Sequence, residues 1–110
     1  MNIEFQAPNE QVKEWVLSFV RDKLIEFHQS NKDISRAQVY FREEANTNKE
    51  VNKVCEIDLT IYGNSLFVQR KAGSFEQASK EVLAELAKKL EAQNRSQNEP
   101  PDEITSTVKV

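Results

Sequence analysis

The chain has 110 residues, 38% of them hydrophobic and 30% charged, which is material for one compact core and too little for a second domain. No apolar run approaches the roughly 20 residues that a membrane-spanning helix needs, and the start MNIEFQAPNE lacks the basic and apolar segments of a secretory signal, so a cytoplasmic protein without a membrane partner is expected. The formal charge of −3 argues against a uniformly basic nucleic-acid binder, but Met1 to Arg95 holds 14 Lys+Arg against 15 Asp+Glu, and Ser96 to Val110 adds one Lys and three acids. Most of the imbalance sits in the tail, and in the rest the arrangement of cations matters more than their number.

Ile3 and Phe5 alternate with polar neighbours as a short first strand, which Pro8-Asn9 ends, with Asn9 offering a helix cap. Val12, Trp15, Val16, Phe19, Val20, Leu24 and Phe27 fall at three- and four-residue spacing and predict a helix over 10–29, with Trp15 in its buried stripe. Ala37, Val39 and Phe41 then alternate with Arg36, Gln38, Tyr40 and Arg42 as a strand buried on one face. After the polar run EEANTNKE, Cys55, Ile57, Leu59 and Ile61 form the inward face of another strand, and Gly63-Asn64 predicts a tight hairpin leading to Leu66 and Val68. Ser74, with Gln77 three residues on, has the form of a capping box that opens a second helix, whose buried stripe is Phe75, Ala78, Val82, Leu86 and Leu90.

This order predicts an α+β fold, β-α-β-β-β-α, in which a four-stranded, mostly antiparallel sheet carries both helices on one face as a two-layer sandwich. The first connection, a right-handed crossover, makes the first two strands parallel. The domain is expected to span residues 1–95, and the polar, Pro-containing segment 96–110 reads as a flexible tail with too few apolar residues to repay ordering.

Chemistry for catalysis is sparse, so an enzyme is not expected. Cys55, the only cysteine, belongs to an inward strand face and excludes an internal disulfide or a thiolate metal cluster. The single His28 sits at a helix end with no ligand-spaced Cys or carboxylate, and two glycines cannot build a phosphate-cradling loop. Glu43-Glu44 and Glu56/Asp58 are carboxylate pairs without a visible partner. Neither a cofactor nor a metal nor a small-molecule substrate is implied, and a monomer is expected.

The cations carry the functional expectation. At about 100° per residue, Lys80, Ala84, Lys88, Glu91 and Arg95 share one outward sector of the second helix, opposite its apolar stripe, with Lys89 adjoining. Arg70 and Lys71 end the strand before it, and Lys23 and Lys32 lie late in the first helix and just beyond. These residues are candidates for a surface that follows an RNA phosphate backbone. The plainer alternative is a solvated helix face, since Glu76, Glu81, Glu85 and Glu91 are interspersed.

Element order, length and the run GNSLFV followed by SFEQASKEVLAELAKKLEAQ resemble the short ribosome hibernation promoting factors, also called ribosome-associated inhibitor or sigma-factor modulation proteins, over Met1 to Gln93. The resemblance implies a fold similar to double-stranded RNA-binding domains. It also implies docking on ribosomal RNA in the decoding region of the small ribosomal subunit, blocking tRNA and mRNA sites and silencing idle ribosomes under stress. Lys88 and Lys89 match the family's late-helix cations and Lys71 keeps its basic strand end, whereas Glu85 stands where Lys is usual and Ala72-Gly73-Ser74 replaces the acidic opening of the helix. A second reading from a different class is a diverged protein-binding module that uses Tyr40, Tyr62 and Phe67 on the outer sheet face.

Overall fold

The computed structural model describes residues 1–7, 12–44 and 51–98, with the side chains of 94–98 left aside. Its elements are β1 (Asn2–Gln6), α1 (Glu14–Ser30), β2 (Ile34–Glu43), β3 (Lys53–Ile61), β4 (Asn64–Ala72) and α2 (Phe75–Asn98). The strands lie in the order β1-β2-β3-β4, with β1 and β2 parallel and the later pairs antiparallel. Alternation dictates the layering. Ala37, Val39, Phe41, Cys55, Ile57, Leu59 and Val68 all point to one face, where they join Val16, Val20 and Leu24 of α1 and Phe75, Ala78, Val82, Leu86 and Leu90 of α2 in a single core. Phe41 and Phe75 meet edge to face at 5.6 Å across the layers. The β-α-β-β-β-α sandwich is therefore the expected one.

Local corrections have clear causes. Helix α1 begins four residues later than predicted, at Glu14, because Lys13 remains extended (φ −69°, ψ 148°) while its carbonyl accepts from the Val16 and Leu17 amides. The cap expected at Asn9 lies outside the described residues. Trp15, expected in the core, is 50% exposed, whereas Val16, Val20 and Leu24 are buried. One step along a helix turns about 100°, so Trp15 swings off the sheet-facing sector onto the flank that faces α2.

The hairpin turn is also displaced by one residue. Ile61 pairs with Asn64, leaving Tyr62 (φ 53°) and Gly63 (φ 80°) as the two-residue loop, so the left-handed positions are Tyr62-Gly63 rather than Gly63-Asn64. At α2, half of the expected capping box forms: the Gln77 amide donates to Ser74 Oγ at 3.1 Å, but the Gln77 side chain donates to Glu81 at 3.0 Å instead of turning back. Helix α2 continues to Asn98, past the expected boundary at Arg95, and residues 99–110 of the expected tail lie outside the described residues.

Cys55 is fully buried, and burial, with a contribution from the Glu56 charge, pushes its thiol up to about 12. Among the described residues no helix is long and apolar enough to cross a membrane.

Candidate nucleic-acid interface

Helices α1 and α2 lie side by side and run in the same direction, as the residues that meet along them show. At the start of both, Trp15 and Val16 face Phe75 and Glu76; midway, Phe19, Lys23 and Phe27 face Lys80, Leu83, Ala84 and Ala87; further on, Phe27, Ser30 and Asn31 face Ala87, Leu90 and Glu91. The result is a seam of clefts between the two helices, in which the middle and far clefts share Phe27 and Ala87 and form one groove, and a separate cleft lies at the start. Its α1 wall comes from positions spaced by four, Trp15, Phe19, Lys23 and Phe27, which stack along one helix edge.

Lys23 from one helix and Lys80 from the other line the middle of this groove. Among the described residues each pairs with a neighbour on its own helix, Lys23 with Glu26 at 3.7 Å and Lys80 with Glu76 at 3.0 Å. Lys88 is exposed beside groove residue Ala87 and has no ion pair among the described residues. Lys32 is exposed in the turn that follows Asn31 at the groove's far end. Asn31 closes α1 there by donating its side-chain amide to the Phe27 carbonyl at 2.8 Å.

The remaining candidates lie elsewhere. Arg70 is on the helix side of edge strand β4 and reaches Glu85 of α2 at 3.3 Å, with Lys89 at 3.8 Å from the same carboxylate. Glu85 is thus held between two cations. Lys71, the next residue, projects from the opposite face of the sheet to Glu44 at 2.9 Å, since successive strand residues alternate. Arg95 falls on the last turns of α2, and its side chain lies outside the described residues. The structure therefore brings Lys23, Lys80 and Lys88 to one surface, sets Arg70 and Lys89 on its β4 flank, and puts Lys71 behind the sheet.

The open face of the sheet is a lattice of cross-strand ion pairs. Arg36 reaches Glu4 at 3.1 Å, Arg42 reaches Glu56 at 2.8 Å and Glu44 at 3.4 Å, and Lys71 reaches Glu44. Hydrogen bonds from Arg36 and Gln38 hold the Glu4 carboxyl below its usual range. Val54, between Arg42 and Lys71 in register, is fully buried. At one end of the sheet Glu43 pairs with Lys53, whose hydrogen bond and charge lower the Glu43 carboxyl as well. Of the carboxylates noted in the sequence, Glu43, Glu44 and Glu56 are paired with cations, whereas Asp58 accepts from the Ser65 hydroxyl at 3.4 Å. Of the aromatic trio, Tyr62 at the hairpin tip and Phe67 on β4 are exposed, and the acidic Glu56 and Asp58 of β3 stand between Phe67 and Tyr40. They do not merge into one apolar patch.

Sequence reading missed the groove itself, together with Lys13, Trp15 and Phe19 on its α1 side. The four-residue spacing from Trp15 to Lys23 was its available signal. Among the described residues no cluster of His, Cys, Asp or Glu suits a metal ion.

No family model matches the sequence, and no curated protein does. Solved structures do. A ribosomal subunit interface protein from Coxiella burnetii superposes with a TM-score of 0.70 at 15% identity, covering 86% of this chain and 99% of that one. The N-terminal domain of Protein Y from Thermus thermophilus superposes with a TM-score of 0.67 at 17% identity, covering 84% and 99%. With coverage this complete, the chain has the fold of these two proteins from end to end of theirs.

Proposed function

We propose that the protein docks on the RNA of the small ribosomal subunit through its helical layer and thereby inhibits translation as a hibernation-type factor in the cytoplasm. The observation that carries this reading is the meeting of Lys23 and Lys80 across the groove, with Lys88 unpaired beside it, on the layer opposite a self-neutralised sheet face. Side-chain pairs at helical spacing contribute only about 0.3–0.5 kcal/mol, so Lys23 and Lys80 are readily released to a phosphate. Likeness of fold to a protein described as a ribosomal subunit interface protein supports the choice of partner. Occlusion of tRNA and mRNA sites follows as the mode of inhibition, and no catalytic step is involved.

The contacts would be charge contacts to phosphate, without base reading along the lysine row. Co-sedimentation with small subunits at low and moderate salt tests this. The Lys80→Glu/Lys88→Glu variant is expected to lose association and translation inhibition while keeping its fold, since both side chains are exposed. Undiminished co-sedimentation of that variant at low salt would transfer the proposal to the sheet-face protein-binding alternative.

A further inference from the structure

At the starting end of the two helices lies a cleft of about 480 Å³ lined by Lys13, Trp15, Val16, Phe75, Glu43 and Lys53, among others. Trp15 stands half exposed in its wall although a buried position lies one residue away at Val16. A large aromatic side chain left open to water in a concave site presents a flat face for a flat partner.

The charges around the cleft select among such partners. Glu43 is taken by Lys53, and Glu76, also at the rim, is taken by Lys80. Lys13 is exposed and without an ion pair among the described residues, so it is the rim cation open to an anionic group. An aromatic ligand bearing an anionic group matches both features, and the ion-paired carboxylates retain lone pairs that can accept from an exocyclic amino group. The volume lies within the roughly 300–1,000 Å³ of ordinary ligand sites and suits one nucleotide. Because Glu76 at the cleft rim pairs with Lys80 of the groove, the two sites are one helical turn apart, and a strand whose phosphates follow the groove would bring a base to Trp15.

We propose that the Trp15 cleft takes one unstacked base of single-stranded RNA, stacked on the indole, with a flanking phosphate on Lys13. The proposal rests on the RNA-docking reading and adds to it a contact that does not depend on charge: stacking on an aromatic side chain is tolerant of sequence and available only to unpaired bases.

Trp15 is the only tryptophan, so its fluorescence reports on this site alone. Titration of the intact protein with a short oligoadenylate is expected to quench that emission, and a duplex RNA hairpin of similar length is expected to bind through the groove without quenching it. Trp15→Ala should weaken oligoadenylate binding about tenfold, measured by fluorescence anisotropy of labelled RNA, with an unchanged salt slope, and Trp15→Phe should restore most of the loss. Lys80→Glu/Lys88→Glu should instead flatten the salt slope and leave quenching at saturation intact. Binding of oligoadenylate without quenching, or unaltered affinity in Trp15→Ala, overturns the base site while leaving RNA docking in place. Failure of both RNAs to bind at low salt overturns the docking reading, and the base site falls with it.

Discussion

The open face of the sheet and the helical layer use their charges in opposite ways. On the sheet, strand register sets cation against acid: Arg36–Glu4, Arg42–Glu56 and Lys71–Glu44 join residues distant in sequence, and Glu44 and Glu56 are only 26% and 20% exposed at the side chain. A phosphate arriving there would have to break contacts that the sheet geometry itself imposes. Along the groove the pairs are neighbours on one helix, Lys23–Glu26 and Lys80–Glu76, with both partners of each at least 41% exposed. Solvent screens these pairs and side-chain freedom loosens them, so this layer is able to exchange partners. Net charge therefore says little about this protein; what matters is which cations are held by the fold.

The largest expected effect concerns what lies beneath the helical layer. Leu86 is fully buried between α2 and the sheet, and Leu86→Ala should cost about 2–5 kcal/mol in urea unfolding. Trp15→Ala, on the rim of the same layer, should stay below about 1 kcal/mol, because surface substitutions rarely exceed that. Equal losses would return Trp15 to the core and remove the groove wall.

Glu85 offers a gain-of-function version of the contrast. It occupies Arg70 and Lys89 together, so Glu85→Lys should free both cations, add a third, and strengthen small-subunit association several-fold at low salt. The corresponding change on the sheet, Glu56→Lys, removes one of the two partners of Arg42 and adds a cation on the wrong face, and should leave association unaltered. Strengthening by Glu56→Lys instead would reverse the assignment of the two faces.

These features were unequally legible in the sequence. Period-two alternation placed every inward strand residue from Ala37 to Val68, and the α2 stripe needed no tertiary information because both of its neighbours, β3 and β4, were already given as antiparallel. The Arg70-Lys71 pair was readable in principle: adjacent strand residues face opposite ways, so they could not serve one surface. The approach of Lys23 to Lys80 was not readable, since it depends on two helices separated by three strands running parallel over one sheet. Trp15 misled because a helix stripe has edges, and an aromatic residue at the edge fits the periodicity whether or not anything covers it.

Acid should separate strand-to-strand pairs from the helical ones through Glu4 on the open face and Glu43, two residues from Phe41 on the helix side of β2. Glu4 and Glu43 have lowered values in the folded protein, so their contribution to stability is present above the ordinary value of 4.5 and lost as pH falls below it. Urea midpoints measured through that range should fall more steeply for the natural protein than for Glu4→Gln/Glu43→Gln. Parallel curves would mean that the sheet pairs are as loose as the helical ones. The smallest effect is expected at Cys55, whose buried thiol should stay unmodified by a thiol reagent at neutral pH until the protein unfolds; rapid native-state labelling would show that the sheet opens locally at β3.

The difference between the faces is tested most directly by the salt dependence of binding to the small ribosomal subunit for two neutralised variants, Lys80→Gln/Lys88→Gln on the helical layer and Arg36→Gln/Lys71→Gln on the sheet. Each lost phosphate contact lowers the slope of log affinity against log salt by about one. The helical variant should lose about two units of slope and the sheet variant none. An unchanged slope in the helical variant, or a loss confined to the sheet variant, would contradict the account.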